Sequence, residues 1–469
     1  MIVRQKGNMR ILHYLPGLPP VRGGGMVKYA IDLMNAQKEK NLVWIMTAGP
    51  ISLKKKKRNR VCVKYVGRWN GVKQYEVKNS LPIPMANGIC DTGWYTLKVD
   101  ETVYLNFLKK ITPDIIHVHS LMGLHREFLY AAEKCNIPVV YTTHDYFGIC
   151  PKTDYMYGSE PCRYRGYGCR QCCKTAFSEK RILLEHSHVY KWYRNSNWMI
   201  QILKTASMRN AGKTLRSHMP EIQINKEKPE MQKDEAYEYL LEYYEEMFKK
   251  ISYFHFNSEM TRDIFENVLG PLNGMVIQVS NSLIEDHRTK HEYDGANLSI
   301  GFVGGDSPYK GLIPLCNIIQ ELRLEGIENI KLHVYGSTKK KGYDFVVYHD
   351  AYRSEDLESV YGAMDILVVP SIWNETFGMV VPEAISYGVP VLVRKNVGAA
   401  DIVKKAKKQI GIIVSDDLEL KDKLRELAKN SAILQKMNTN IIENDMKFVY
   451  KEHVKKMDEL YKHVISKEG

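Results

Sequence analysis

The sequence lacks a long hydrophobic run, an export signal, an internal repeat of short period and, apart from one lysine-rich segment, any low-complexity tract. No apolar stretch reaches the length that a membrane-spanning helix needs. The basic start is followed by neither an apolar segment nor a small-residue cleavage site. We therefore expect a cytoplasmic globular protein. Its nine cysteines are then expected to be reduced, because disulfides are rare in that compartment.

The length and the charge set the next limits. A chain of 469 residues is too long for one ordinary core, so two domains are expected. Part of the net charge of +13 lies in the run "KKKKRNR" at 54–60. This run could be a solvated loop, a contact with an anionic membrane surface or a contact with nucleic acid. No nucleic-acid motif accompanies it, which favours the membrane surface over nucleic acid.

Short apolar runs, separated by longer segments that suit helices, recur along the chain. These runs do not alternate with polar residues, so they predict parallel strands buried on both faces by helices. The predicted strands are 11–15, 42–48, 115–120, 138–145, 253–258, 298–305, 330–337, 365–371, 390–393 and 410–415. They predict two doubly wound α/β domains.

We expect the first domain to span 1–282 and the second 283–445, with a C-terminal helix at 446–469 returning to the first. The strand pattern lapses between about 174 and 250, where Tyr, Lys and Glu are abundant and Trp192 and Trp198 occur. This segment is interpreted as a helical insertion in the first domain.

Two carboxylates, Glu375 and Glu383, are separated by seven residues in "NETFGMVVPEAISYGVPV". Glu375 follows a predicted strand, at the edge of an open parallel sheet where ligands bind. Glu383 falls inside a helix expected to begin near Phe377 and Gly378, whose first amides favour an anion. A carboxylate accepts hydrogen bonds from hydroxyl groups, so the arrangement suits a ligand with hydroxyls at both ends and phosphates between, such as a nucleotide sugar. Helix surface charge is the alternative explanation.

These residues resemble the Glu-x7-Glu signature of glycosyltransferase family four, a large retaining family with the GT-B fold. Further stretches match in the same order: "GGGMVKYAIDL", "PDIIHVHS", "VVYTTHD", "FVGGDSPYKGL" and "VGAADIV". The resemblance implies two Rossmann-like domains that face each other across a cleft. It also implies metal-independent transfer of a sugar from a UDP- or GDP-sugar to a saccharide acceptor, with the anomeric configuration retained. Family precedent in bacteria favours a lipid-linked acceptor, cell-surface polysaccharide synthesis and the inner face of the plasma membrane.

The resemblance also assigns roles in donor binding. It implies that Glu383 holds the ribose diol, and that Glu375 holds the sugar and phosphate with the amides of Phe377, Gly378 and Met379. It implies that Lys310 neutralises the leaving diphosphate.

Three glycines and two histidines complete the implied site. Gly24 and Gly25 match a loop that faces the diphosphate and the acceptor. Gly305 stands where many members carry an arginine, so the second cation of the phosphate clamp is in doubt. His144 corresponds to a histidine near the reacting sugar, and His119 is the second candidate.

Five cysteines fall between 150 and 173. Their spacing suggests a structural zinc site formed by Cys150, Cys162, Cys169 and Cys172. Free thiols and two disulfides are the alternatives, and the disulfides are disfavoured in a reducing compartment.

Two rival functions come from other classes. A nucleotide-sugar 2-epimerase on the same fold would bind the same donor and need no acceptor. A nucleic-acid-binding protein with a zinc module would show steeply salt-dependent binding, but it leaves Glu375 and Glu383 without a purpose.

Overall fold

The computed structural model describes residues 8–84, 88–158, 160–195, 234–293, 295–305, 307–336, 342–350 and 352–468. It divides into two compact units. The first comprises 1–256, 263–277 and 454–469, and the second comprises 257–262 and 278–453. No described helix is long and apolar enough to cross a membrane.

The first unit is built on an eight-stranded sheet with the order β10-β9-β6-β5-β1-β2-β4-β3. All of its neighbouring strands are parallel except the hairpin β3–β4. A separate two-stranded antiparallel ladder, β7–β8, lies in the cysteine-rich segment. The strands are β1 (Arg10–Leu15), β2 (Leu42–Ala48), β3 (Cys62–Trp69), β4 (Val72–Lys78), β5 (Ile115–Val118), β6 (Val139–Thr142), β7 (Met156–Tyr157), β8 (Glu160–Pro161), β9 (Tyr253–Phe256) and β10 (Gly274–Val276).

The second unit contains a six-stranded, wholly parallel sheet with the order β13-β12-β11-β14-β15-β16. Its central strands are buried along most of their length, and their side chains form a core with the flanking helices. The strands are β11 (Leu298–Val303), β12 (Ile330–Tyr335), β13 (Val346–His349), β14 (Ile366–Val369), β15 (Val391–Arg394) and β16 (Gly411–Val414).

Helices connect the strands of both sheets. In chain order they are α1 (Gly25–Gln37), α2 (Thr102–Ile111), α3 (Arg126–Lys134), α4 (Cys169–Cys172), α5 (Glu179–Glu185), α6 (His188–Asn195), α7 (Glu235–Phe248), α8 (Glu259–Leu269), α9 (Leu312–Leu324), α10 (Leu357–Gly362), α11 (Val380–Ser386), α12 (Ala400–Lys405), α13 (Asp417–Lys429), α14 (Ala432–Ile442) and α15 (Tyr450–Glu468). The two parallel α/β sheets expected from the buried apolar runs are confirmed.

Besides the three-residue strand β10, two longer elements of the sheets were not expected from the sequence. The β3–β4 hairpin contains a bulge between Tyr65 and Gly67, and β3 is partly exposed along its length. Strand β13 is likewise only half-buried. Neither has the continuous apolar run by which the other strands were predicted.

The segment interpreted as a helical insertion is described only in part. Its described residues contain α5, α6 and α7, and α7 is anchored by two tyrosines: Tyr237 Oη donates to the Ile89 carbonyl at 2.6 Å, and Tyr244 Oη donates to the Tyr95 carbonyl at 3.0 Å. Residues 196–233, which include Trp198, lie outside the described residues.

Candidate functional site

Glu375 lies just beyond β14 in the second unit and is only 8% exposed. Its Oε1 accepts a hydrogen bond from Lys310 Nζ at 2.5 Å, and its Oε2 accepts one from Ser371 Oγ at 2.7 Å. The carboxylate is thus buried with a cation on one oxygen and a hydroxyl on the other, which offsets the cost of removing it from water.

The loop that carries Lys310 is fixed against the end of β14. Lys310 ends a 3-10 turn, Pro308–Lys310, and Gly311 follows with a φ of +77°. A Cβ at Gly311 would lie 2.1 Å from the Pro370 carbonyl oxygen, so the close approach of the two loops requires glycine. The Ile372 N–H donates to the Tyr309 carbonyl at 2.8 Å and ties the loops together. This packing brings Lys310 to Glu375 across 65 residues of sequence.

Glu383 lies inside α11 and is 7% exposed. Its Oε2 accepts from Tyr361 Oη at 3.0 Å, and its Oε1 accepts from Asn281 Nδ2 at 3.3 Å. Burial and the nearby Glu383 carboxylate raise the pKa of Tyr361 well above its usual value, so this hydroxyl is a donor at neutral pH. The two donors fix the orientation of the Glu383 carboxylate.

The segment between the two glutamates contains a glycine with a positive φ, Gly378. Gly378 has a φ of +95°, and a Cβ there would lie 2.9 Å from Val397 Cγ1. The helix therefore begins at Val380, slightly later than the expected start near Phe377 and Gly378, because a positive φ is outside the helical region.

The first turn of α11 offers few amides. The Val381 N–H donates to the Gly378 carbonyl and the Glu383 N–H to the Met379 carbonyl, at 3.1 and 3.2 Å, and Pro382 has no N–H. The amide contacts predicted for a phosphate would therefore have to come from residues before Val381.

Gly305 lies two residues after β11, and a Cβ there would meet nothing within 4 Å. The position has room for a side chain, so packing does not explain why it lacks the arginine of the resembling family. The structure brings Glu375 and Lys310 into contact, but no described contact joins Gly305 to either.

The glycine loop of the first unit leads into α1. Gly24 is the residue before α1 and has a φ of +110° and a ψ of 175°. Residues other than glycine rarely adopt this conformation. Gly25 is the first residue of the helix. An added Cβ at either residue would meet nothing within 4 Å, so the space above this loop is open.

The structure brings together the two histidines predicted at strand ends. His119 Nδ1 lies 3.3 Å from His144 Nε2. His119 is fully buried, and burial together with the neighbouring histidines lowers its pKa well below the usual value. His144 is partly exposed, and its ring centre lies 4.9 Å from that of Tyr29. Of the pair, His144 is the one placed to meet a ligand.

Sequence reasoning missed a larger cluster of buried histidines behind His144. His13 Nδ1 lies 3.0 Å from His119 Nε2. His117 contacts Thr142 Oγ1 at 2.6 Å, and Thr142 contacts His255 Nδ1 at 2.8 Å. The available signal was the recurrence of histidine in three predicted strands of the first domain, "ILHYL", "IIHVHS" and "YFHFNS".

Three of these histidines, His13, His117 and His119, place ring nitrogens within 4.8 Å of one another. Each ring already uses both nitrogens: His13 with Gln37 and His119, His117 with Tyr461 and Thr142, and His119 with His13 and His144. A metal ion would have to break these hydrogen bonds, so the cluster fits a hydrogen-bond network better than a metal centre.

The cysteines chosen as zinc ligands are free thiols. Burial raises the pKa of Cys150 well above its usual value and that of Cys169 to about 11, and the other cysteines of the set add to the effect on Cys150. Among the described residues, His13, His117 and His119 form the group whose potential ligand atoms all lie within 4.8 Å of one another. No cysteine belongs to this group. The zinc site stays a prediction.

Comparison with known proteins bears on the second unit. Residues 284–448, which contain Lys310, Glu375 and Glu383, match the family model described as "Glycosyl transferases group 1". Residues 284–448 are a glycosyl transferases group 1 domain. The group 1 domain thus includes the carboxylate pair and the lysine.

Curated relatives match only part of the chain. D-inositol 3-phosphate glycosyltransferase of Corynebacterium diphtheriae is 30% identical over 107 residues, which is 23% of this chain and 25% of that protein. An uncharacterized 41.2 kDa protein in the cps region of Klebsiella pneumoniae is 26% identical over 161 residues, 30% of this chain and 44% of that protein. The chain therefore spans less than half the length of these two relatives.

Solved structures match the whole fold. Sucrose-phosphate synthase from Thermosynechococcus elongatus has a TM-score of 0.56 at 14% identity, covering 98% of this chain and 100% of that one. HepE of Anabaena, in complex with UDP, has a TM-score of 0.56 at 13% identity, covering 97% and 100%. The predicted GT-B fold class is confirmed.

Three side chains that orient the carboxylates of the group 1 domain were not predicted. Ser371 holds Glu375, while Tyr361 and Asn281 hold Glu383. Ser371 is the last residue of the predicted strand 365–371, which was a usable signal. Tyr361 and Asn281 lie 22 and 102 residues from Glu383 in the chain, and no local pattern connects them to it.

Proposed function

We propose that this protein is a retaining glycosyltransferase that moves a sugar from a UDP- or GDP-sugar to a saccharide acceptor. The observation that carries the proposal is the buried Glu375 bound to Lys310 inside the group 1 domain. A buried carboxylate and a cation at the carboxyl end of a parallel sheet form a polar site where such sheets bind ligands.

The roles implied by the resemblance are supported by the geometry of the second unit. The Lys310 side chain is 31% exposed, so it can contact the diphosphate while its ammonium is held by Glu375. There it would stabilise the negative charge that develops as the sugar leaves. Glu383, oriented by Tyr361 and Asn281, would accept hydrogen bonds from the ribose diol. No catalytic metal enters this scheme.

The first unit would supply the groups near the reacting sugar. His144 is partly exposed at the end of β6, and we propose that it contacts the sugar. Gly24 and Gly25 would let the diphosphate or the acceptor approach the backbone closely. His119 is buried, so it would act through His144.

The acceptor and the setting are also proposals. The relative in a cps region supports a role in capsule or exopolysaccharide synthesis, and the UDP in HepE supports a uridine nucleotide in the donor. A lipid-linked acceptor would place the enzyme at the inner face of the plasma membrane, where the basic run at 54–60 could meet anionic lipid. Part of that run faces protein, since Arg58 lies 4.3 Å from the Trp94 ring centre.

The epimerase alternative is less well supported, since both the family model and the corynebacterial relative are described as glycosyl transferases. Incubation with donor alone separates the two. An epimerase would convert the donor sugar to its epimer, whereas the proposed transferase requires an acceptor before a new sugar product forms.

Nucleotide binding is the first test. Thermal unfolding would be followed with UDP, GDP, ADP and CMP, for the wild type and for Glu383→Ala. A nucleotide at 100 times its dissociation constant stabilises the folded state by about 2.7 kcal/mol. We expect a shift with UDP or GDP in the wild type and its loss in the variant.

The control is Glu355→Ala, which removes a glutamate that is 77% exposed in the same unit. Its nucleotide shift should equal that of the wild type. If no nucleotide shifts the unfolding of the wild type, the proposed donor site is wrong.

We also propose that Cys150, Cys162, Cys169 and Cys172 hold a structural zinc ion. Zinc would reverse the raised thiol pKa values of this segment because it binds thiolates. Metal analysis of protein purified without chelator should give about one zinc per chain. Cys172→Ser should remove it, and Cys316→Ser, which changes a buried cysteine of the second unit, should not.

A further inference from the structure

A chain of hydrogen bonds crosses the interior of the first unit and ends at His144. Gln37 Nε2 donates to Asp458 Oδ1 at 3.0 Å, and Gln37 Oε1 lies 3.0 Å from His13 Nε2. His13 Nδ1 lies 3.0 Å from His119 Nε2, and His119 Nδ1 lies 3.3 Å from His144 Nε2. Gln37, His13 and His119 are each no more than 1% exposed, so water does not compete for these contacts.

Asp458, at one end of this series of hydrogen bonds, fixes which group donates and which accepts in each of them. An ionised carboxylate only accepts hydrogen bonds, so Gln37 must turn its NH₂ group toward Asp458 and its oxygen toward His13. His13 must then carry its proton on Nε2 and donate it to Gln37.

Because the buried rings are neutral, the position of the proton on one ring fixes its position on the next. Burial lowers the pKa of His13 to about 3 and that of His119 well below the usual value, so each carries one ring proton at pH 7. With its proton on Nε2, His13 accepts at Nδ1 from His119 Nε2–H. His119 then accepts at its own Nδ1, and the donor is His144 Nε2–H.

We propose that Asp458, Gln37, His13 and His119 are positioning residues that hold the proton of neutral His144 on Nε2. His144 Nδ1 is then the accepting nitrogen of that ring, the form suited to a hydroxyl donor such as that of a sugar. The identity of the hydroxyl rests on the proposed function, whereas the position of the proton rests on the hydrogen bonds alone.

Helix α15 contributes one residue to these hydrogen bonds. Asp458 lies on this last helix, 421 residues from Gln37 in the chain, and it supplies the acceptor that ends the network. The same helix places Tyr461 Oη 2.6 Å from His117 Nδ1. This contact lies beside the hydrogen bonds from Asp458 to His144 and is not one of them.

Long-range ¹H–¹⁵N spectra of protein labelled with ¹⁵N-histidine test the proposal, because the two nitrogens of a neutral ring have distinct shifts. The wild type has 15 histidines, and His→Gln variants at positions 13, 119 and 144 would assign the three signals. We expect all three rings to carry the proton on Nε2.

Two variants and a control sharpen the test. Gln37→Leu removes the acceptor of the His13 proton, and Asp458→Asn removes the group that orients Gln37 while leaving its size unchanged. Either should let the rings reverse, so that signals of both tautomers of His144 appear. Tyr461→Phe removes a neighbouring hydroxyl of the same cluster and should leave His144 in the Nε2–H form.

The proposal is overturned if His144 carries its proton on Nδ1 in the wild type, or if its signal is unchanged in both variants. A sugar-transfer assay separates this result from the proposed function. If the wild type transfers sugar, we expect Gln37→Leu and Asp458→Asn to lower kcat at least tenfold with little change in KM. If the wild type transfers no sugar but shows the expected tautomers, the positioning chain stands and the proposed function fails.

Discussion

Removal of Lys310 should expose how strongly Glu375 depends on it. Glu375 is 8% exposed and has two described side-chain donors, Lys310 and Ser371. Loss of one partner from a fully buried ion pair costs about 3–5 kcal/mol. The Lys310 side chain is 31% exposed, so solvent replaces part of the interaction, and we expect Lys310→Met to cost about 2 kcal/mol.

A double-mutant cycle isolates the pair. Glu375→Gln keeps an acceptor for Ser371 and removes the charge, so the lysine replacement should cost less in its presence. We expect a coupling energy of about 1–2 kcal/mol that falls on raising NaCl from 50 mM to 0.5 M. Hydrogen exchange, followed by mass spectrometry at several urea concentrations in peptides covering 366–394, reports the stability of the region around the pair.

Lys407 and Asp445 provide the matched control. They form a 2.8 Å pair in the same unit, but their side chains are 81% and 75% exposed. Their cycle should show no coupling outside the error of the measurement. If the Lys310–Glu375 cycle also shows no coupling energy, Lys310 does not stabilise the buried Glu375 carboxylate and the reasoning above is refuted.

Three further predictions concern the backbone and the pH response. Gly24→Ala should lower the stability of the first unit by about 1–3 kcal/mol because of its φ of +110°, whereas Gly23→Ala, with equal space and no positive φ, should change the thermal midpoint little. Gly305→Arg should fold as the wild type does and, under the proposed function, it should tighten binding of the nucleoside diphosphate by adding a second cation to the proposed phosphate contact. Burial raises the pKa of Asp145 from 3.8 to about 6, so its contribution to stability is fully present below pH 3.8 and is lost as the pH rises through 6. Between pH 4 and pH 7 the free energy of unfolding of Asp145→Asn, measured by urea titration, should therefore rise relative to that of the wild type by up to about 3 kcal/mol. A difference that stays constant with pH would contradict the assignment.

The sequence predicts the sheets well because burial on both faces leaves a direct mark. Strands such as β6 and β14 are buried and almost wholly apolar, and each is followed by a loop that carries polar residues. The β3–β4 hairpin leaves no such mark, because β3 is partly exposed and its residues are mixed in polarity.

The candidate site is predictable where it is local. Glu375, Glu383 and Gly378 belong to one loop and helix, and their spacing together with the preceding strand predicts a ligand site. The supporting contacts are not local: Lys310 meets Glu375 over 65 residues and His13 meets His119 over 106. The packing of two loops brings about the first contact, and strand register brings about the second, since His13 is paired with His117, two residues before His119. Composition and spacing do not report that register.

The bulged hairpin of the first unit has a consequence for behaviour at high concentration. An open sheet exposes unpaired backbone groups on its outermost strands, and these groups can recruit another molecule into an aggregate. Here one outermost strand, β3, is interrupted by the bulge at Tyr65 and Gly67 and carries Lys64 and Arg68, while the other, β10, is only three residues long. Both borders of the sheet are therefore poor templates for intermolecular pairing.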